Sequence, residues 1–177
     1  SFSQIENMAQ SWSKPKLDYV NWKGKRKLVM FVGGGYDAGG DDGDGLKSNG
    51  IRTGYAGYEN YNYNQTNKKG SGVYMFDANN GDLLWYADAN ADPDTPASGS
   101  GTSTTEAIPH LVNSDLKYSV VSEIKTVDRN NDGMVDHIYF GDLAGQAFRI
   151  DFARSPTKFT PQATKILDLH QTATTKI

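Results

Sequence analysis

The stretch DRNNDGMVDHIYFGDLAGQAFRIDF, residues 128–152, combines a loop rich in side-chain oxygens with the residues of a β-hairpin. In its first nine residues, the side chains at positions one, three, five and nine carry oxygen atoms, and a glycine at position six permits a sharp turn. This spacing is the front half of a calcium-binding loop. The sequence therefore predicts a calcium loop that leads into two paired strands.

Five residues of this loop are the predicted calcium ligands. They are Asp128, Asn130, Asp132 and Asp136 through their side chains, and Met134 through its backbone carbonyl. An EF-hand needs a bidentate Glu at the twelfth position, where this chain has Tyr139, so we do not expect flanking helices. Magnesium fits less well, because it prefers rigid octahedral sites and keeps its waters. A surface turn that binds no metal is the alternative.

The residues around the loop predict strands. The segment YSVVSEIKTV, residues 118–127, leads into the loop as one strand. After the loop, apolar residues alternate with polar ones on both sides of a turn at Gly145, which predicts a hairpin. A second hairpin is predicted upstream in VYMFDANNGDLLWY, residues 73–86, where Asn and Gly tolerate the backbone of a tight turn.

The two predicted hairpins form an internal repeat. Asp77 corresponds to Asp142 and, after one gap, Gly81 corresponds to Gly145. Recurring strand pairs suggest the blades of a β-propeller, each of about 40 to 50 residues. Residues 1–177 are therefore predicted to be all-β, as part of a single propeller domain with about three to four blades of antiparallel strands.

Two polar, glycine-rich segments are predicted as long loop insertions, near residues 37–71 and near residues 89–115. The acidic tip of the first, residues 41–45, is either a solvated turn or a second cation site. Its tyrosine-rich part, residues 55–63, either forms an exposed binding surface or folds over the sheet. Just before this loop, three consecutive glycines at residues 33–35 indicate a turn or a close approach of the backbone to another segment.

Composition excludes several classes of function. The chain has no cysteine, which excludes disulfides, thiolate catalysis and zinc–sulfur sites. Its net charge of −3, with both signs interspersed, does not suit a nucleic-acid partner, and it has no apolar run long enough for a membrane span. His110, His137 and His170 are scattered, and Asp142 and Asp151 are better explained by structure than by catalysis, so no enzyme is predicted.

Four segments occur together in the order of a known family: SWSKPKL, VMFVGGGYD, GVYMFDANNGDLLW and VDRNNDGMVDHIYFGDLAGQAFRIDF. Over most of residues 11–152 the chain resembles the C-terminal β-propeller of the PilY-type proteins, the type IV pilus tip-associated adhesins called PilC in some bacteria. The resemblance implies a quinoprotein-like propeller without enzymatic activity, carried at the pilus tip or on the outer membrane, outside the cell. The chain is accordingly expected to be a fragment of a longer protein.

The resemblance also carries expectations about ligands and partners. The family's calcium ligands fall on the five loop residues, Asp128, Asn130, Asp132, Met134 and Asp136. Calcium is expected to influence pilus biogenesis, extension and retraction, and surface adhesion. The implied partners are pilus subunits such as minor pilins, and host-surface ligands.

Two other propeller classes remain open. A quinoprotein dehydrogenase needs a cofactor-stacking tryptophan and calcium ligands at the propeller axis, whereas this loop is predicted between two strands of a blade. An integrin-α-like propeller, which binds carbohydrate or protein, should carry a calcium loop in nearly every blade. The sequence has one clear loop. Trp85 resembles the tryptophan that docks neighbouring blades in quinoprotein propellers, and an ordinary core residue would have the same pattern.

Overall fold

The computed structural model describes residues 5–37, 48–50, 65, 68–89 and 108–169, which form an all-β structure. The strands are β1 Lys16–Trp22, β2 Lys25–Gly33, β3 Val73–Asp77, β4 Leu83–Asp88, β5 His110–Val112, β6 Lys125–Val127, β7 His137–Gly141, β8 Gln146–Asp151 and β9 Gln162–Asp168. They form two open sheets, with strand orders β1-β2-β3-β4-β5 and β6-β7-β8-β9. The predicted all-β class is confirmed, and no propeller is detected among these residues.

Strands dominate the described ranges of the chain. No helix within them has the necessary length and hydropathy.

Both predicted hairpins are present, and their turns share two features although the β3–β4 turn is one residue longer. The β3–β4 turn contains Gly81 with φ of 80°, and the β7–β8 turn contains Gly145 with φ of 79°. These left-handed conformations favour glycine. In each turn the leading aspartate accepts a hydrogen bond from the backbone N–H two residues later, at 2.9 Å for Asp77 and 3.0 Å for Asp142. The repeat found in the sequence is therefore a repeat of structure.

Strand pairing differs from the prediction in two places. β5 lies within the segment predicted as the second long loop and pairs in parallel with β4, although antiparallel blades were predicted. A parallel neighbour is possible because a long connection separates the two strands. The strand predicted at residues 118–127 is reduced to β6, because the backbone before β6 forms hydrogen bonds with other segments. The Val120 carbonyl accepts the N–H of Gly35 at 3.0 Å, and the Val120 N–H donates to the carbonyl of Gly70 at 2.8 Å.

Parts of both predicted loop insertions lie outside the described residues. They include the acidic tip at residues 41–45, the tyrosine-rich part at residues 55–63, and residues 90–107 of the second loop. The roles suggested for these segments, and the number of blades, stay predictions.

The three glycines that begin at the end of β2 allow a close approach of backbone segments, as predicted. The Gly34 N–H donates to the carbonyl of Gly72 at 2.9 Å. A Cβ on Gly34 would lie 2.2 Å from the carbonyl oxygen of Ser71, so no side chain fits there. Gly35 follows with φ of 104°, a conformation open to glycine.

One apolar core joins the two sheets. Its members include Val20, Val29, Phe31, Val73, Met75 and Trp85 from the first sheet, and Ile138, Phe140, Phe148 and Ile150 from the second. Trp85 is fully buried, and its ring packs edge-on against Phe152 at 6.1 Å and Phe159 at 6.0 Å, between ring centroids. Both phenylalanines lie in the connection between β8 and β9, so Trp85 of the first sheet packs against this connection of the second.

Candidate metal centre

The predicted calcium loop connects β6 to β7 at the place where the two sheets meet. The Val135 N–H donates to the carbonyl of Tyr19 at 2.8 Å, and the Thr126 hydroxyl donates to the Asp18 carboxylate at 2.6 Å. Tyr19 and Asp18 both belong to β1 of the other sheet, and Val135 is buried. The predicted strand–loop–strand arrangement is confirmed, and the loop is fixed to both sheets.

Asp128 organises the first half of the loop. Its Oδ1 accepts the N–H of Asp132 at 3.2 Å, and its Oδ2 accepts the N–H of Gly133 at 2.7 Å. The backbone can curl around this carboxylate because Asn131 and Gly133 have φ of 60° and 80°. Asn and Gly are the residues that adopt such conformations most readily.

The next two predicted ligands turn the chain in short steps. Asn130 Oδ1 accepts the N–H of Asp132 at 3.2 Å, and Asp132 Oδ1 accepts the N–H of Met134 at 2.9 Å. A side-chain oxygen that bonds the N–H two residues later forms an Asx turn, for which Asp and Asn are suited. The alternating oxygens predicted from the sequence therefore also shape the loop.

Asp136 closes the loop. Its Oδ2 accepts the N–H of Arg129 at 2.8 Å, and its own N–H donates to Val127 at 2.9 Å. Burial acts to raise the pKa of Asp136, but the hydrogen bonds from Arg129 and Arg154 and the charge of Arg154 outweigh it and lower that pKa. The structure thus holds Asp136 as a carboxylate across the mouth of the loop.

Arg154 brings three of the five predicted ligands together. Its Nη2 lies 2.8 Å from Asp136 Oδ1, 3.0 Å from Asp132 Oδ1 and 3.1 Å from the Met134 carbonyl oxygen. Three oxygens from three residues therefore converge on one positively charged group. The oxygens of Asp128 and Asn130 bond to the loop backbone instead.

The donor set fits calcium in its chemistry. Within the described part of the chain, no three or more His, Cys, Asp or Glu side chains form a metal-binding group. The three carboxylates of the predicted set are therefore not gathered into one group, and the oxygens that do converge belong to Asp132, Met134 and Asp136. All five donors are hard oxygens on a partly exposed loop, as calcium requires, and three of them already surround a positive charge. Occupation by calcium remains a prediction.

Arg154 is a site residue that the sequence did not reveal. It lies 18 residues after Asp136 and two residues after Phe152, whose N–H donates to the carbonyl of Asp136 at 2.8 Å. The available signal was a basic residue just past the last buried residue of the hairpin that follows the loop. Spacing alone does not separate such a residue from any exposed arginine.

The other candidate residues that the structure describes do not form a catalytic group. His137 Nδ1 lies 2.5 Å from Asp151 Oδ1, and the Arg149 guanidinium donates to the same carboxylate at 2.9 Å. Asp142 lies in the turn at the opposite end of this hairpin, so Asp142 and Asp151 are not a carboxylate pair. His110 packs on Tyr86 in the other sheet, and residue 170 lies outside the described residues.

Asp142 gives a prediction about pH. Burial raises the pKa of Asp142 to about 6, although the N–H groups of Gln146 and Ala144 favour the carboxylate. Since its pKa is about 4 when unfolded, Asp142 lowers stability as the pH rises from about 4 to 6, and the loss persists above pH 6. Asp142→Asn keeps an oxygen for the turn and should raise the free energy of unfolding at pH 7 by about 1–3 kcal/mol.

Urea unfolding between pH 4.5 and 7.5, in chelator, measures this effect, and Asp77→Asn is the matched control. Burial acts to raise the pKa of Asp77, but hydrogen bonds from Lys27 and Asn79 and the charge of Lys27 lower it. Asp77→Asn should therefore destabilise the protein at pH 7. Destabilisation of the same size by both substitutions would contradict the prediction.

Comparison with known proteins assigns no family to the chain. No family model, no curated protein and no solved structure matches it. A functional assignment therefore depends on the geometry of the loop and on the sequence resemblance.

Proposed function

We propose that this chain is a calcium-binding, non-enzymatic β module of a type IV pilus-associated surface protein of the PilY type. The observation that carries the proposal is the convergence of oxygens from Asp132, Met134 and Asp136 on one positive charge at the junction of the two sheets. The assignment to the pilus rests on the order of the family's motifs in the sequence.

Each of the five ligands has a defined part in holding calcium. Asp128, Asn130, Asp132 and Asp136 would bind it with side-chain oxygens, and Met134 with its carbonyl. Bound calcium supplies positive charge that neutralises carboxylates which otherwise repel one another. The loop is bonded to β1 through Val135, and the strand before it, β6, is bonded to β1 through Thr126, so fixing the loop also fixes the contact between the sheets.

The two sheets are proposed to be neighbouring blades of a quinoprotein-like propeller. In support, they share one core, and Trp85 docks one sheet against the other. Calcium loss then loosens the blade junction and changes the surface presented to minor pilins and host ligands outside the cell. Among the described residues one loop has the calcium spacing, which agrees better with this proposal than with an integrin-α-like propeller.

Thermal unfolding in calcium and in chelator tests calcium binding. At a calcium concentration a hundred times the Kd, binding should stabilise the fold by about 2.7 kcal/mol, or about 5–10 °C in the unfolding midpoint. Asp132→Ala should remove this rise, because it deletes a ligand on the exposed side of the loop. Asp82→Ala, in the turn of the other hairpin, should keep it. No rise in the wild type, or an unchanged rise in Asp132→Ala, would exclude the site.

The same variants test the pilus assignment. Immobilised minor pilins of a type IV pilus should retain the wild-type chain and Asp82→Ala more strongly in calcium than in chelator. Asp132→Ala should show no such difference. Calcium-dependent stability without any binding to pilins would support the metal site and contradict the pilus assignment.

A further inference from the structure

Arg154 introduces a permanent positive charge into the proposed calcium site. Its Nη2 is within 3.1 Å of three proposed ligand atoms, on Asp132, Met134 and Asp136. We infer that Arg154 is a tethered cation that competes with calcium for these oxygens and sets the calcium concentration at which the loop fills. The inference rests on the proposed calcium site and adds a means of regulating it.

The guanidinium and calcium cannot share these oxygens in the observed geometry. Calcium binds oxygen at about 2.3–2.6 Å, so an ion that contacts all three oxygens from the side of Arg154 would overlap the position of Nη2. The two groups also carry like charges, which repel strongly at such short range. Calcium entry at these three ligands therefore requires Arg154 to leave.

Arg154 is placed so that it can leave without disturbing the sheet. The chain is fixed just before it by Phe152, which is buried and donates to the carbonyl of Asp136 at 2.8 Å. The Arg154 side chain itself is 28% exposed, and its long stem can rotate into water. Ion pairs with this much exposure are weak, so a divalent ion can displace them.

Competition lowers the apparent calcium affinity by a calculable factor. The apparent Kd equals the intrinsic Kd divided by the fraction of molecules in which Arg154 has left the oxygens. Two partly exposed ion pairs and a hydrogen bond keep the guanidinium in place most of the time. Removal of the charge should therefore tighten calcium binding about three- to tenfold.

The other arginines near the loop interact differently with it. Arg26 stacks on the Tyr19 ring at 3.7 Å and donates to the carbonyl of Gly133 at 3.4 Å, which is not a proposed ligand. Arg129 bonds to Asp136 through its backbone N–H, which any residue would supply. Arg129 therefore provides a matched control for the loss of a positive charge in this loop.

Isothermal titration of calcium chloride into the wild type, Arg154→Gln and Arg129→Gln tests the inference. Arg154→Gln should bind calcium about three- to tenfold more tightly than the wild type, and Arg129→Gln within about twofold of it. In chelator, Arg154→Gln should also unfold at a lower temperature than the wild type, because two clustered carboxylates lose their counter-charge. Its gain in midpoint on adding calcium should be larger than that of the wild type.

The outcomes separate this inference from the proposed function. If the wild type binds calcium and Arg154→Gln binds it equally or more weakly, Arg154 is a structural support. The inference about Arg154 is then overturned, and the proposed calcium site stands. If neither protein binds calcium, the proposed site and the inference are both overturned. Tighter binding by Arg129→Gln to the same degree would show a general charge effect and would also overturn the inference.

Discussion

Trp85→Ala should lower the free energy of unfolding by about 3–5 kcal/mol, the usual cost of truncating a fully buried tryptophan. Trp85 has no exposed surface, and its ring meets Phe152 and Phe159 in the connection between β8 and β9 of the other sheet. The cavity would therefore open in the core that the two sheets share. Urea unfolding in chelator measures the loss without a contribution from the metal.

Two further variants make the test of Trp85 specific. Trp12 is 70% exposed, so Trp12→Ala should change stability by less than about 0.5 kcal/mol. Trp85→Phe should cost less than Trp85→Ala, because it keeps much of the packing and removes an indole N–H that has no acceptor among the described residues. If Trp85→Ala cost no more than Trp12→Ala, the proposed role of Trp85 in joining the sheets would be refuted.

Gly34→Ala should lower the free energy of unfolding by about 3 kcal/mol or more. A methyl group at this position would lie 2.2 Å from the carbonyl oxygen of Ser71 and 2.3 Å from that of Gly70. Both obstacles are backbone atoms, so the clash cannot be relieved by rotating a side chain. The Gly34 hydrogen bond to Gly72, at 2.9 Å, would be lost as the segments separate.

Gly141→Ala is the matched control, because it adds the same methyl group at a position where there is room for a Cβ atom. At Gly141 the nearest atom to a new Cβ is the Gln146 carbonyl oxygen at 3.4 Å, an ordinary contact. We expect a change in stability of less than about 1 kcal/mol there. Equal unfolding midpoints in urea for the two variants would contradict the close approach at Gly34.

Features encoded by neighbouring residues could be predicted from the sequence. The side-chain oxygens of the loop accept hydrogen bonds from backbone N–H groups only two to seven residues away in the sequence. Their spacing in the sequence therefore predicts how the loop backbone turns. The turns at Gly81 and Gly145 likewise need a left-handed residue at a fixed place. Structure that depends on residues close together in the sequence can be predicted without knowing the fold.

Features that depend on distant partners could not be predicted. β5 has three residues and pairs with β4 across a long connection, and no local pattern specifies a parallel partner. β9 is mostly exposed, so its sequence lacks the alternation that marks a half-buried strand. Arg154 reaches the loop only because the β7–β8 hairpin brings the chain back beside Asp136.

The central claim is that the loop between β6 and β7 binds calcium, and a crystal structure determined in excess calcium tests it most directly. We expect one cation about 2.3–2.6 Å from the oxygens of the predicted ligands, with the Arg154 guanidinium turned toward solvent. Those ligands are Asp128, Asn130, Asp132, Met134 and Asp136. A structure with no cation there, and with Arg154 still bonded to Asp132 and Asp136, would contradict the claim.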